Sequence, residues 1–129
     1  MGCQGKSILI VDDCKDNQLL MKIFLKSQGY EVLSALSGKE GLRKAEKHVP
    51  DLILLDMMMP DLSGLEVLRK LKASTLLSDT PVMLCTANLH LDLNQVLQAD
   101  AVCPKPFNLD YLLTRIEDII NKNLASSRR

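Results

Sequence analysis

The chain has 129 residues, which fits one ordinary domain and leaves no room for a second. With 47% hydrophobic and 25% charged residues it can fill a core and stay soluble, so disorder is excluded. Sixteen basic residues balance sixteen acidic ones and aromatics are scarce at 3%, so neither a field for nucleic acid or anionic membrane nor a stacking platform for bases is available.

Ser7 to Val11 is a short, continuous apolar run, as in a strand buried on both faces. From Asp16 the apolar positions Leu19, Leu20, Ile23 and Phe24 recur at helical spacing, and Gly29 closes the pattern as a C-terminal glycine does. Glu31 to Ala35 reads as a second strand. Ser37 then caps a helix whose inner face includes Leu42 and Ala45 and which closes before Pro50. Leu52 to Leu55 is a third buried strand, followed by a helix capped by Ser63 that runs through Leu65, Leu68 and Leu71 towards Ala73. Pro81 opens a fourth strand, Val82 to Cys85. A shorter helical stretch between Leu91 and Gln98 leads to a weak fifth strand, Ala101 to Cys103, and Leu109 to about Asn123 forms a last amphipathic helix. Strands separated by helices predict the α/β class: a doubly wound, five-stranded parallel sheet with right-handed crossovers. The chain reads as one domain with core 7–123 and short tails at 1–6 and 124–129.

In open parallel sheets ligands bind beyond the carboxyl ends of the strands, at the switch point of the strand order. Asp12 and Asp13 follow the first strand directly and Asp56 ends the third, its neighbour if the order is the flavodoxin-like 2-1-3-4-5. Two like charges ~5 Å apart at an effective dielectric of ~20 repel by roughly 3 kcal/mol, so three clustered acids call for a counter-ion. A hard divalent cation with all-oxygen ligation and retained water, Mg²⁺, suits them better than zinc. Thr86 ends the fourth strand with a hydroxyl, and Lys105 stands after the fifth between Pro104 and Pro106. Carboxylate, cation, hydroxyl and ammonium around one crevice are the parts that phosphoryl transfer to a carboxylate needs, with Asp56 as nucleophile.

These residues carry a resemblance. Val11-Asp12-Asp13, Leu55-Asp56-Met57-Met58-Met59-Pro60-Asp61 leading to Gly64, Thr86-Ala87 and Lys105-Pro106-Phe107 together resemble the receiver domain of two-component response regulators, from Ser7 to about Asn123. The resemblance implies that Asp56 accepts phosphate from a histidine kinase or a histidine phosphotransfer protein. It implies Mg²⁺ held by Asp13, Asp56 and the backbone carbonyl of Met58, with Asp12 acting mainly through a metal-bound water. Lys105 then pairs with the carboxylate and later the phosphoryl group, and Thr86 swings towards the phosphoryl oxygens. A downstream protein partner or effector domain receives the signal. Catalysis is limited to self-phosphorylation from a phosphodonor and autodephosphorylation. A cytoplasmic location follows, since no apolar run approaches a membrane span.

Blander readings stand beside these. An acidic pair is by itself more often a solvated turn or helix cap; its place after a buried strand reverses that. Met57 to Met59 reads as packing rather than a soft-metal site. Gly5-Lys6-Ser7 lacks the earlier glycine and preceding strand of a phosphate-binding loop. Cys85 and Cys103 lie in apolar runs and read as small buried hydrophobes rather than a disulfide. Two features depart from the family. Val102 occupies the position where a Tyr or Phe is common, and the interval from Thr86 to Lys105 is about three residues short, with no glycine between Gln98 and Asp100. Both keep open an alternative, a receiver-like docking module that acts without phosphorylation.

Overall fold

The computed structural model describes residues 5–87, 99–105 and 108–127, the side chains of 123–127 excepted. The elements are β1 (Ser7–Val11), α1 (Lys15–Ser27), β2 (Glu31–Ala35), α2 (Gly38–His48), β3 (Leu52–Asp56), α3 (Gly64–Ala73), β4 (Val82–Thr86), β5 (Ala101–Pro104) and α4 (Leu109–Ser127). The five strands form one parallel sheet in the order β2-β1-β3-β4-β5. The α/β class and strand order agree with the sequence reading. The helical stretch expected between Leu91 and Gln98 lies outside the described residues.

The central strands alternate between two cores, because successive side chains of a strand point to opposite faces and both faces are covered. Ile8, Ile10, Leu54, Met83, Cys85 and Cys103 pack with Met21 and Leu25 of α1 and Leu112 and Ile116 of α4. Leu9, Val11, Ile53, Leu55 and Leu84 pack with Val67, Leu68 and Leu71 of α3 and Ala45 of α2. Each large apolar side chain buried in this way contributes about 1.5–3 kcal/mol.

Three of the helices, α2, α3 and α4, start where a side chain accepts from their first amides, while α1 starts after Cys14 without one. Ser37 accepts from Glu40 N at 3.1 Å, Ser63 from Glu66 N at 3.2 Å, and Asn108 Oδ1 from Tyr111 N at 3.0 Å. α2 receives more: both carboxylate oxygens of Asp61 accept at 3.0 Å from Gly38 N and Lys39 N, tying the loop after β3 to the helix start. Gly29 has φ +96° at the end of α1, the left-handed conformation expected of it there.

Two expectations are corrected. On α1, Leu19, Leu20 and Ile23 are exposed, and the buried stripe is Gln18, Met21 and Leu25 with Phe24 packed partly against the core. Counting apolar residues misplaced this face because its first member is an amide, held by backbone carbonyls that only the folded sheet supplies. The last helix runs to Ser127, beyond the predicted Asn123 and into the segment expected to be a tail; no proline or glycine interrupts that stretch, so nothing in the chain stops it.

Candidate functional site

Strand register brings the acids together. Val11 pairs with Leu55, so Asp12 and Asp56 leave their strands at the same level, and Asp56 in turn pairs with Cys85, one residue before Thr86. Thr86 pairs with Pro104, which sets Lys105 just past the same edge, where its amide donates to Thr86 O at 2.9 Å. One oxygen each from Asp12, Asp13 and Asp56 lies within 4.8 Å of the others. Lys105 Nζ donates to Asp56 Oδ1 at 2.9 Å and stands 3.6 Å from Asp12 Oδ2. Asp12, Asp56 and Thr86 are buried, whereas Asp13 is exposed at the mouth. All the predicted acids, the hydroxyl and the lysine therefore meet at the carboxyl end of the sheet. Met58 exposes 75% of its surface, and its amide donates to the Asp56 carboxylate.

The electrostatics are unbalanced. Burial raises the pKa of Asp56, and the hydrogen bond and charge of Lys105 oppose this without overcoming it, while Asp12 adds to the rise. Burial pulls Lys105 down, yet the hydrogen bond to Asp56 and the charges of Asp12 and Asp56 leave it raised. Among the described residues one ammonium thus answers several carboxylates. The three acids fit a hard divalent cation: oxygens on an octahedral Mg²⁺ lie roughly 3–4 Å apart, which small side-chain rotations reach from the present spacing.

Sequence reasoning missed Gln18. Its amide Nε2 lies 2.9 Å from Ile10 O, 3.0 Å from Asp12 O and 2.7 Å from Ala35 O, so one buried side chain joins β1, the acidic turn and the end of β2. The available signal was its place three and seven residues before Met21 and Leu25, on the stripe that faces the sheet. Gly64 was quoted as part of a motif, and the structure gives its reason. A Cβ there would meet Asp56 O at 2.5 Å and Met57 Cα at 2.7 Å, so the start of α3 rests directly on the backbone of the candidate acceptor.

A groove of about 710 Å³ lies at the other end of the sheet, lined by Pro81, Asp100, Arg115, Asp118 and Ile119.

A doubly wound parallel sheet with three acids, a hydroxyl and a lysine at its carboxyl edge defines a class of signalling domain, and comparison with known proteins places the chain in it. Residues 8–117 match the family model of the response regulator receiver domain, and the chain belongs to that family. It is 36% identical over 122 residues to the alkaline phosphatase synthesis transcriptional regulatory protein PhoP of Bacillus subtilis, covering 92% of this chain and 50% of that protein. It is 38% identical over 125 residues to the transcriptional regulatory protein CpxR of Klebsiella pneumoniae, covering 95% and 52%. The chain thus spans about half the length of these curated relatives. Among solved structures, a CheY-like response regulator receiver domain protein from Methanospirillum hungatei superposes with TM-score 0.86 at 31% identity over 95% of this chain and 99% of that one. The response regulator protein TrrA from Thermotoga maritima, in complex with Mg(2+)-BeF, superposes with TM-score 0.82 at 35% identity over 88% and 98%. Among the described residues no helix is long and apolar enough to cross a membrane.

Proposed function

We propose that this receiver domain accepts a phosphoryl group on Asp56 from a phosphohistidine of a histidine kinase or phosphotransfer protein, in a Mg²⁺-dependent reaction, and relays the signal by a conformational change. The observation that carries this reading is the 2.9 Å contact of Lys105 Nζ with Asp56 Oδ1 beside two further carboxylates. Lys105 orients the carboxylate by holding one oxygen, leaving the other to attack phosphorus as the phosphorus–nitrogen bond to the donor breaks. Asp12, Asp13, Asp56 and the Met58 carbonyl would hold the cation, which when bound neutralises charge on the phosphoryl oxygens. That TrrA was crystallised with Mg(2+)-BeF supports the same ligand chemistry here. Thr86, at the end of β4, supplies a hydroxyl for a phosphoryl oxygen. The protein acts in the cytoplasm and passes its signal to a protein partner or effector domain rather than to nucleic acid directly.

Val102 exposes 39% of its surface on β5, opposite in direction to the buried Cys103. With one short, stiff rotor and no ring to trade between burial and exposure, it cannot serve as an aromatic switch. Output therefore runs through the backbone after Thr86, and amide chemical shifts there that ignore phosphorylation would rule this route out. Val102 also favours the second reading, docking without phosphorylation.

The deciding experiment is intact mass after incubation with Mg²⁺ and acetyl phosphate, beside Asp56→Asn and a chelated sample. A gain of one phosphoryl group, absent from both controls, supports the relay. No adduct in the native protein, together with no Mg²⁺ binding by calorimetry, moves the weight to the docking module.

A further inference from the structure

Cys85 and Cys103 are direct register partners on the neighbouring parallel strands β4 and β5. Both side chains enter the same core, with exposures of 3% and 1%, and the two thiols interact with each other. Paired strands lie about 4.8 Å apart, inside the window of roughly 4.4–6.8 Å between the Cα atoms of a disulfide. The Cβ atoms of a disulfide stand closer than this spacing, about 3.5–4.5 Å apart, so bridging draws the edge strand β5 towards β4.

Its position ties it to the acidic crevice. Cys85 O accepts from Met57 N at 3.0 Å, directly after Asp56, and Thr86 is the next residue along β4. Cys103 stands two residues before Lys105 on β5. A covalent link here would fasten together the two strand ends that carry the hydroxyl and the ammonium.

We infer that Cys85 and Cys103 form a reversible dithiol–disulfide pair, oxidised by a hydroperoxide, that restrains Thr86 and Lys105 and slows phosphorylation of Asp56. The regulatory half rests on the function proposed above; the disulfide does not. In the chemistry, the Cys103 sulfur attacks a peroxide oxygen, the O–O bond breaks, and a sulfenic acid and water form from hydrogen peroxide. The Cys85 sulfur then displaces the hydroxyl, forming the S–S bond and a second water. Two thiols thus give up two electrons and two protons to one peroxide, and a dithiol reductant reverses the change.

Position in the sheet assigns the order of attack: Cys103 stands on the edge strand β5, whereas Cys85 lies on β4 between two neighbouring strands. Hydrogen bonding with Cys85, aided by the charge of Arg115 and opposed by burial, holds Cys103 below its ordinary value. Access comes through β5, an edge strand of four residues, because edges open locally at lower cost than the sheet centre.

The test uses the whole chain, treated with stoichiometric hydrogen peroxide and then with acetyl phosphate and Mg²⁺, and read by intact mass and by peptide mapping without reductant. No lysine or arginine lies between residues 73 and 104, and Lys105 precedes a proline, so both cysteines fall on one tryptic peptide, 73–115. The expected result is a peptide lighter by two hydrogens, restored by dithiothreitol, and a phosphorylation rate about tenfold lower in the oxidised protein, the order of loss for a small misplacement of reacting groups. Both changes should vanish in Cys103→Ala and in Cys85→Ala, whichever folds better. Oxygen addition at Cys103 without loss of the two hydrogens overturns the disulfide. A disulfide with an unchanged phosphorylation rate overturns the regulation. No phosphoryl gain in either form counts against the regulation and the role of Asp56 together, while the peptide mass still decides the disulfide.

Discussion

Aspartates stand at both ends of this sheet, and the two ends use them in opposite ways. At the amino end, Asp51 accepts from Ser7 N at 2.8 Å and Ser7 Oγ at 3.3 Å, pinning β3 to β1. There too, Asp100 accepts from Val82 N at 2.7 Å and Lys72 Nζ at 3.1 Å, pinning the start of β5 to β4 and α3. These acids are answered by donors that strand starts leave unpaired. At the carboxyl end, Asp12, Asp13 and Asp56 crowd together around one lysine, and Asp56 is held in a state that disfavours its charge. A satisfied carboxylate fastens the fold, whereas a crowded one stores an affinity for cation and phosphoryl group. The crowding of like charges, set by which strand ends meet, separates the two uses, not the residue type.

The largest effect should come from removing the acceptor. Asp56→Asn is expected to abolish the phosphoryl gain seen by mass while raising the melting temperature of the metal-free protein, since a buried charge is relieved. A lowered melting temperature would contradict the crowding argument. Gly64→Ala should come next. Its Cβ would collide with backbone at Asp56 and Met57, so both the urea midpoint and the phosphorylation rate should fall together. At the other end, Asp100→Ala leaves Val82 N without that acceptor and should cost about 1–3 kcal/mol in urea unfolding, with phosphorylation retained; loss of phosphorylation with intact fold would erase the contrast between the ends.

The smallest effects are those of pH, and their signs differ within the carboxyl end itself. Asp61, with amides of Gly38 and Lys39 on its oxygens, has its pKa lowered below 3.8. Its contribution is present above that value and fades as pH falls through the folded pKa. Because Asp61 is exposed, the effect is slight. Asp56 is raised above 3.8, so the metal-free protein gains stability as pH falls through its folded value, a gain complete below 3.8. Acid titration of the melting temperature should show Asp61→Asn weakening the loss and Asp56→Asn removing the gain. At the mouth, the apolar and exposed Met58 should slow hydrolysis of the phosphoryl group. Fast phosphate loss, unaltered by substituting Met58, would contradict this.

Much of this was legible in the chain. Short segments of three to five residues marked all five strands to within one residue, and Ser37 and Ser63 marked two helix starts, because backbone periodicity and capping are local properties. The acids, threonine and lysine could be placed because each ends a strand or stands just after one, and a parallel sheet aligns strand ends. Three things could not be read this way. The inner face of α1 begins with Gln18, whose partners come from three separate segments. Asp61 caps a helix more than twenty residues earlier in the chain. Cys85 and Cys103 become neighbours only through the register of β4 on β5. Sequence thus determined the elements and the chemical groups at their ends, since these depend on residues near one another in the chain. Tertiary structure decided which acids are satisfied, which are left crowded and which sulfurs meet, because those outcomes depend on distances between segments that periodicity does not encode.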